Sequence, residues 1–116
     1  MTGLAWAMTD VSSSPRINPR PLSLRVTPRI VPSGKDAFVH VRIEPDSRNR
    51  SLEIEWRAAQ GHRGWHVFLI DGDRGAVRYQ HAIRQLEPGD YEVGAILTRL
   101  DGTWIRRATT VTVTES

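Results

Sequence analysis

From Leu22 onward, hydrophobic and polar residues alternate with a period of two, and clusters of Gly, Pro, Asp and Ser interrupt the alternation at short intervals. Leu22, Leu24 and Val26 alternate with Ser23 and Arg25 until Pro28. Proline cannot donate to a β-ladder, so this first strand is expected at a sheet edge, bending at the proline. Pro32–Asp36 reads as a turn, and Ala37–Glu44 as a strand with Val39, Val41 and Ile43 on one face and His40 and Arg42 on the other. After a loop at Pro45–Asn49, Leu52, Ile54 and Trp56 alternate with Glu53, Glu55 and Arg57, the pattern of a half-buried strand. Gly61–Gly64 ends it.

Trp65–Ile70 is apolar almost throughout, so alternation does not choose its inner face. Asp71–Gly75 is a turn, Ala76–Gln85 a more polar strand, and Glu87–Asp90 a turn into Tyr91–Thr98, where Tyr91, Val93, Ala95 and Leu97 share a face. Asp101-Gly102 has the form of a two-residue hairpin loop, in which both positions favour positive φ. Thr103–Thr114 is the last strand. Counting back from Val111 and Val113 turns Arg107 inward, which predicts a bulge near Arg106-Arg107. About seven short strands without an amphipathic helix predict an all-β fold, a two-layer antiparallel sandwich over residues 22–116.

The length of 116 residues suits one compact domain, and 39% hydrophobic content supports a core. No run of about eighteen apolar residues occurs, so no membrane-spanning helix is expected. The absence of cysteine excludes a disulfide, a thiolate nucleophile and cysteine-held iron–sulfur or zinc sites. The pI of about 10.2 goes with a net charge of only +3, because Lys35 is the sole lysine and arginine supplies the rest of the basic charge. The arginines are scattered and interleaved with Glu44, Glu53, Glu55 and Glu92. That distribution predicts cross-strand ion pairs on solvated faces, and no nucleic-acid partner, whose phosphates call for clustered positive charge. Residues 1–21 differ in character: Ser12–Ser14, Pro15, Pro19 and Pro21 form a flexible linker composition. Ala5-Trp6-Ala7 has the small-x-small form of a signal-peptidase site, without a full basic and apolar leader ahead of it. Two readings of the segment stand: the remnant of a secretory leader, or a cytosolic N-terminus.

The segment Leu86–Val93 resembles the tyrosine corner of immunoglobulin-like and fibronectin type III-like domains, with Tyr91 at the start of its strand. Trp56 is similar to the tryptophan that such domains pack between their sheets. Val39 or Val41 and Val93 stand where antibody domains place an inter-sheet disulfide, which this chain lacks. The whole pattern from Leu22 to Val113 resembles single immunoglobulin-like modules of bacterial secreted and envelope proteins. The resemblance implies an architecture and an exported or periplasmic setting, and specifies no activity.

Candidate chemistry is sparse. Asp71–Gly75 lacks the further oxygen ligands of a calcium loop, with Arg74 among the would-be donors, and reads as a plain turn. His62 and His66 have helical ligand spacing in a stretch that Gly61 and Gly64 keep from being helical; with His40 and His81 they are the only histidines. No nucleophile elbow or Gly-rich phosphate loop occurs, and Glu53 and Glu55 share one strand face, whereas glycosidase carboxylates oppose each other across a cleft. Trp65 and Trp104 are expected to fill the core beside Trp56; the alternative is that they emerge on one surface and stack on sugar rings or on a partner. The expectation is a non-catalytic module, with no cofactor, that binds a protein partner or serves a structural role. Its candidate contacts are the proline-marked first strand and a surface of Trp65, Trp104, Arg106 and Arg107, with Trp56 and Tyr91 structural. A carbohydrate-binding module is the alternative.

Overall fold

The computed structural model describes residues 21–115, so residues 1–20 and 116 lie outside the described part, and with them nearly all of the expected N-terminal segment. Eight strands follow in order: β1 (Leu22–Thr27), β2 (Ile30–Pro32), β3 (Ala37–Ile43), β4 (Asn49–Ala58), β5 (Arg63–Leu69), β6 (Arg78–Ile83), β7 (Gly89–Arg99) and β8 (Trp104–Thr114). They form a three-stranded sheet in the order β1-β3-β6 and a five-stranded sheet in the order β2-β8-β7-β4-β5. The expected two-layer sandwich is therefore present. It contains one more strand than the alternation announced, since β2 is a three-residue strand that pairs in parallel with β8; the other pairings are antiparallel. β1 is an edge strand, as Pro28 implied.

The inner faces are the apolar sets of the alternation. Val39, Val41 and Ile43 meet Leu52, Ile54, Val93, Ala95 and Leu97 across the sandwich, all buried. Removing that much aliphatic surface from water drives the two sheets together, and the absent disulfide is replaced by close-packed valines. At the corner before β7, the Tyr91 hydroxyl donates to the Glu87 carbonyl at 3.1 Å while its ring is buried. Asn49 is the buried polar side chain among the described residues; its amide donates to the Glu44 carbonyl at 3.1 Å, beside a register shift between Asn49 and Ser51.

Two local expectations are corrected. The β7–β8 hairpin closes on Arg99 and Thr103, whose N–H and carbonyl meet at 2.9 Å with the Arg99 N–H donating, so three residues, Leu100, Asp101 and Gly102, lie between the closing pair. Gly102 alone takes a positive φ there, of 86°, while the Asp101 carboxylate accepts from the Thr103 amide and hydroxyl. The bulge at Arg106-Arg107 does not exist: β7 and β8 pair in one continuous register from Gly89↔Val113 to Thr98↔Trp104. Arg107 does face inward, half-buried, and its guanidinium donates back to the Arg106 carbonyl at 3.1 Å. A long side chain can lay its stem on apolar surface and still bring its charge out, so no change of register is needed.

Candidate functional site

Cross-strand partners in a sheet point to the same face, so the register decides what the outer face of the five-stranded sheet carries. Trp65 lies opposite Glu55, Val67 opposite Glu53, and Leu69 opposite Ser51. Trp104 lies opposite Thr98, which in turn lies opposite Ser51. All of these belong to the polar set of β4 and point away from the core. Trp65 and Trp104 are 65% and 64% exposed, which corrects the expectation that they fill the core. The core space is already taken by aliphatic side chains and Tyr91, and the apolar run of β5 left the choice of face to its pairing with β4. The two indoles share one face, about 20 Å apart by strand spacing and rise.

Sequence reading missed Val67 and Leu69, which are 47% and 86% exposed and continue the apolar stripe along β5. Between the tryptophans runs an ion-pair network. Arg106 Nη2 donates to Glu55 Oε2 at 2.9 Å and to Glu92 Oε1 at 3.4 Å, and Arg57 Nη2 donates to Glu92 Oε1 at 3.0 Å. Hydrogen bonding to Glu55 is the leading cause that raises the Arg106 pKa. Gly94 sits beneath, where a Cβ would lie 2.9 Å from Arg106 Nη2, so the guanidinium lies flat on the sheet. Glu53, Arg63, Trp65 and this network line a shallow depression of about 180 Å³. The proposed surface thus assembles from Trp65, Trp104 and Arg106, while Arg107 belongs to the opposite face of β8.

Another polar surface lies on the three-stranded sheet. The registers Ser23↔Arg42↔Arg78 and Arg25↔His40↔Gln80 bring three arginines onto its outer face, beside an open hollow of about 650 Å³. Nothing in the local sequence announces this, because the three arginines come from three different strands.

Where β5 and β6 face one another, aromatic rings close the side of the sandwich. Trp56 stacks on His81 at 5.4 Å between centroids, His81 on His66 at 4.6 Å, and Phe68 packs on His66 and Tyr79. Trp56 is therefore a half-buried flank of the core, at its margin and not at the centre. His62 lies apart, with Nε2 2.9 Å from Glu87 Oε1, and His40 lies against Thr27 on the other sheet. The four histidines do not converge, and among the described residues no group of three His, Cys, Asp or Glu side chains could hold a metal ion. Asp71–Gly75 is a turn of 3-10 helix over Gly72–Arg74.

The ring stack is sensitive to pH. Burial first, then His66 and Arg84, hold the His81 pKa below its ordinary value of 6.5; burial and Arg25 likewise lower that of His40. The unfolded chain then takes up protons before the folded one, so this stability is present above about pH 6.5 and is lost as pH falls from there through the lower folded-state pKa. The melting temperature is expected to be lower at about pH 5.5 than at about pH 7.5, and His81→Phe to narrow the difference. An equal difference in wild type and His81→Phe would remove His81 from this account.

No protein-family model and no curated protein sequence matches the chain. Solved structures do share its fold. A superoxide reductase (neelaredoxin) from Ignicoccus hospitalis superposes with a TM-score of 0.64 at 11% identity, over 81% of this chain and 80% of that one. The fibronectin(III)-like modules of CbhA from Clostridium thermocellum give 0.53 at 21% identity, over 80% of this chain and 94% of theirs. The PmoD soluble domain from a Methylocystis species gives 0.52 at 14% identity, over 79% and 90%. At such identities the likeness is one of fold, which enzymes and non-enzymes share.

Proposed function

We propose that this chain is a non-catalytic β-sandwich module that docks a protein partner on the outer face of its five-stranded sheet. The observation that carries the reading is the exposure of Trp65, Val67, Leu69 and Trp104 on one face, around the Arg106–Glu55–Glu92–Arg57 network. Exposed aromatic and aliphatic side chains bordered by fixed charges match the make-up of binding surfaces, where large rings supply affinity and charges supply selectivity. The fibronectin(III)-like likeness agrees with a module of this kind. For its setting we propose an exported or envelope protein, in keeping with the resemblance of its strand and corner pattern to single modules of such proteins.

The test is affinity capture from native extract with the full chain as bait. Trp65→Ala and Trp104→Ala are each expected to weaken a specific partner by about 2 kcal/mol, roughly thirtyfold. Arg106→Glu should do the same by setting a third carboxylate beside Glu55 and Glu92. Arg42→Ala, on the other sheet, serves as the control that keeps the partner. Retention of every partner by folded Trp65→Ala and Arg106→Glu chains would refute this surface. Quenching of tryptophan fluorescence by an oligosaccharide panel, lost in Trp65→Ala, would replace the protein partner with a carbohydrate.

A further inference from the structure

Strand β5 has β4 on one side only, so its other side is a sheet edge. The Ala58 N–H donates to the His62 carbonyl at 2.7 Å, and the Ile70 N–H to the Arg50 carbonyl at 2.8 Å. Both belong to the β4–β5 register, in which Trp56 faces Gly64, Ile54 faces His66 and Leu52 faces Phe68. Hydrogen-bonded pairs alternate along an antiparallel ladder, so the even-numbered residues of β5 spend their backbone groups on β4. The N–H and C=O groups of Arg63, Trp65, Val67 and Leu69 therefore point out of the sheet. These same residues carry the exposed side chains of the outer face. Native sheets usually protect such an edge with lysine, proline or a bulge; Arg63–Leu69 contains neither lysine nor proline and pairs with β4 without a register shift.

The charges around β5 indicate what fits there. Arg63 and Asp71 each lie four positions from Val67, on opposite sides, and neither makes an ion pair among the described residues. Arg63 has like-charged Arg57 as its neighbour across β4. A second β5, antiparallel about a two-fold axis at Val67, sets Val67 against Val67, Trp65 against Leu69 and Arg63 against Asp71, each residue meeting its partner in the other copy. The pairs of Trp65, Val67 and Leu69 join odd-numbered residues of β5, whose backbone groups are free; Asp71 lies two residues past the strand, where its carbonyl accepts from the Arg74 N–H at 3.0 Å, and offers its carboxylate alone. The three apolar pairs exchange about six backbone hydrogen bonds, and an ion pair closes each end. Moving the register by two residues lengthens the overlap in one direction, with Arg63 against Leu69 and Trp65 against Val67, and shortens it in the other; either move separates Arg63 from Asp71, so the ion pairs select the axis at Val67.

We propose that a second copy of this chain is the occupant of the β5 edge, joined antiparallel about Val67 so that the two five-stranded sheets run on as one. A two-fold contact of this kind is self-complementary and closed, which stops growth at the dimer. The contact is a single strand edge, smaller than the interfaces of stable complexes, so the dimer is in rapid exchange with monomer. The inference goes beyond the docking of another protein and is read with the purified chain alone, so loss of partner capture and loss of self-association remain separate results.

Sedimentation velocity of the full chain across about a hundredfold range of concentration tests it. Wild type should pass from monomer to dimer. Val67→Pro removes an N–H that faces away from β4, and the variant should stay monomeric with an unchanged far-UV spectrum. Arg63→Asp and Asp71→Arg should each weaken dimerisation about tenfold, and the chain carrying both should recover it, since the reversed pair meets only between copies. A wild type that stays monomeric at the highest concentration overturns the proposal. So does a double charge variant no better than the single ones, which holds even where Val67→Pro does not fold.

Discussion

Ile54→Ala is expected to destabilise the domain by about 3–4 kcal/mol, within the range for emptying a buried aliphatic site. Ile54 is fully buried in the middle of β4, a strand with a neighbour on each side. Its cross-strand neighbours are His66 and Ala95, and opposite it stands the three-stranded sheet. The ladder on both sides holds the β4 backbone in place, so the wall cannot collapse into the space left by the lost methyl and methylene groups. A domain of this size has a total stability of about 5–15 kcal/mol, so the loss is a large share of it. Urea titration should show a lower midpoint with an unchanged slope. Glu53→Ala, one residue away and pointing to solvent, should move the midpoint by no more than about 0.5 kcal/mol. Equal effects of the two substitutions would mean that β4 does not divide core from surface as the register requires.

Gly64→Ala is expected to cost about 1–3 kcal/mol, the usual penalty for overpacking. A Cβ at position 64 would lie 2.5 Å from Trp56 Cζ2 and 2.7 Å from Cε2. The indole must leave its place over β5, and with it the stack on His81. Tryptophan emission should shift to the red along with the loss of stability. Combining the substitution with Trp56→Leu should cost less than the sum of the two alone, because the ring that the new methyl strikes has gone. Additive losses would show that Gly64 matters for some reason other than the indole. The sequence presents Gly64 as the end of a strand; it is the second residue of β5, where the indole requires a residue without a side chain.

How legible each part was follows from the range of the interactions that decide it. The alternation in Ala37–Glu44 and Tyr91–Thr98 identified their inner faces because both strands lie on a core with polar residues outward. The tyrosine corner was legible for a related reason: Tyr91 and Glu87 are near neighbours in the chain, and turn residues hold them together. The strand β2 escaped notice, since three residues are too few to show a period and its partner β8 lies some eighty positions onward. The bulge at Arg107 was a false inference from treating an inward arginine as an error, although a long side chain can leave the core on its own.

The candidate site was the least legible part. Trp65–Ile70 carries no alternation, so the exposure of Trp65 depends on which β4 residues it meets. Trp104 reaches the same face only through the intervening β7. The ion pairs of Arg106 with Glu55 and Glu92 were foreseeable in kind, as arginines beside glutamates on strands, but their members come from three strands. By itself the sequence determined that the chain is a two-layer β-sandwich, where most of its strands run, and that a tyrosine closes one corner. These follow from local periodicity and turn chemistry, which each segment carries within itself. Only the tertiary structure decided that both tryptophans face solvent, that β5 ends the larger sheet with unpaired backbone groups, and that Arg63 and Asp71 flank that edge. The physical reason is that a strand's register and neighbours are set by residues distant in the chain, and a shift of one residue would turn each of these side chains to the other face.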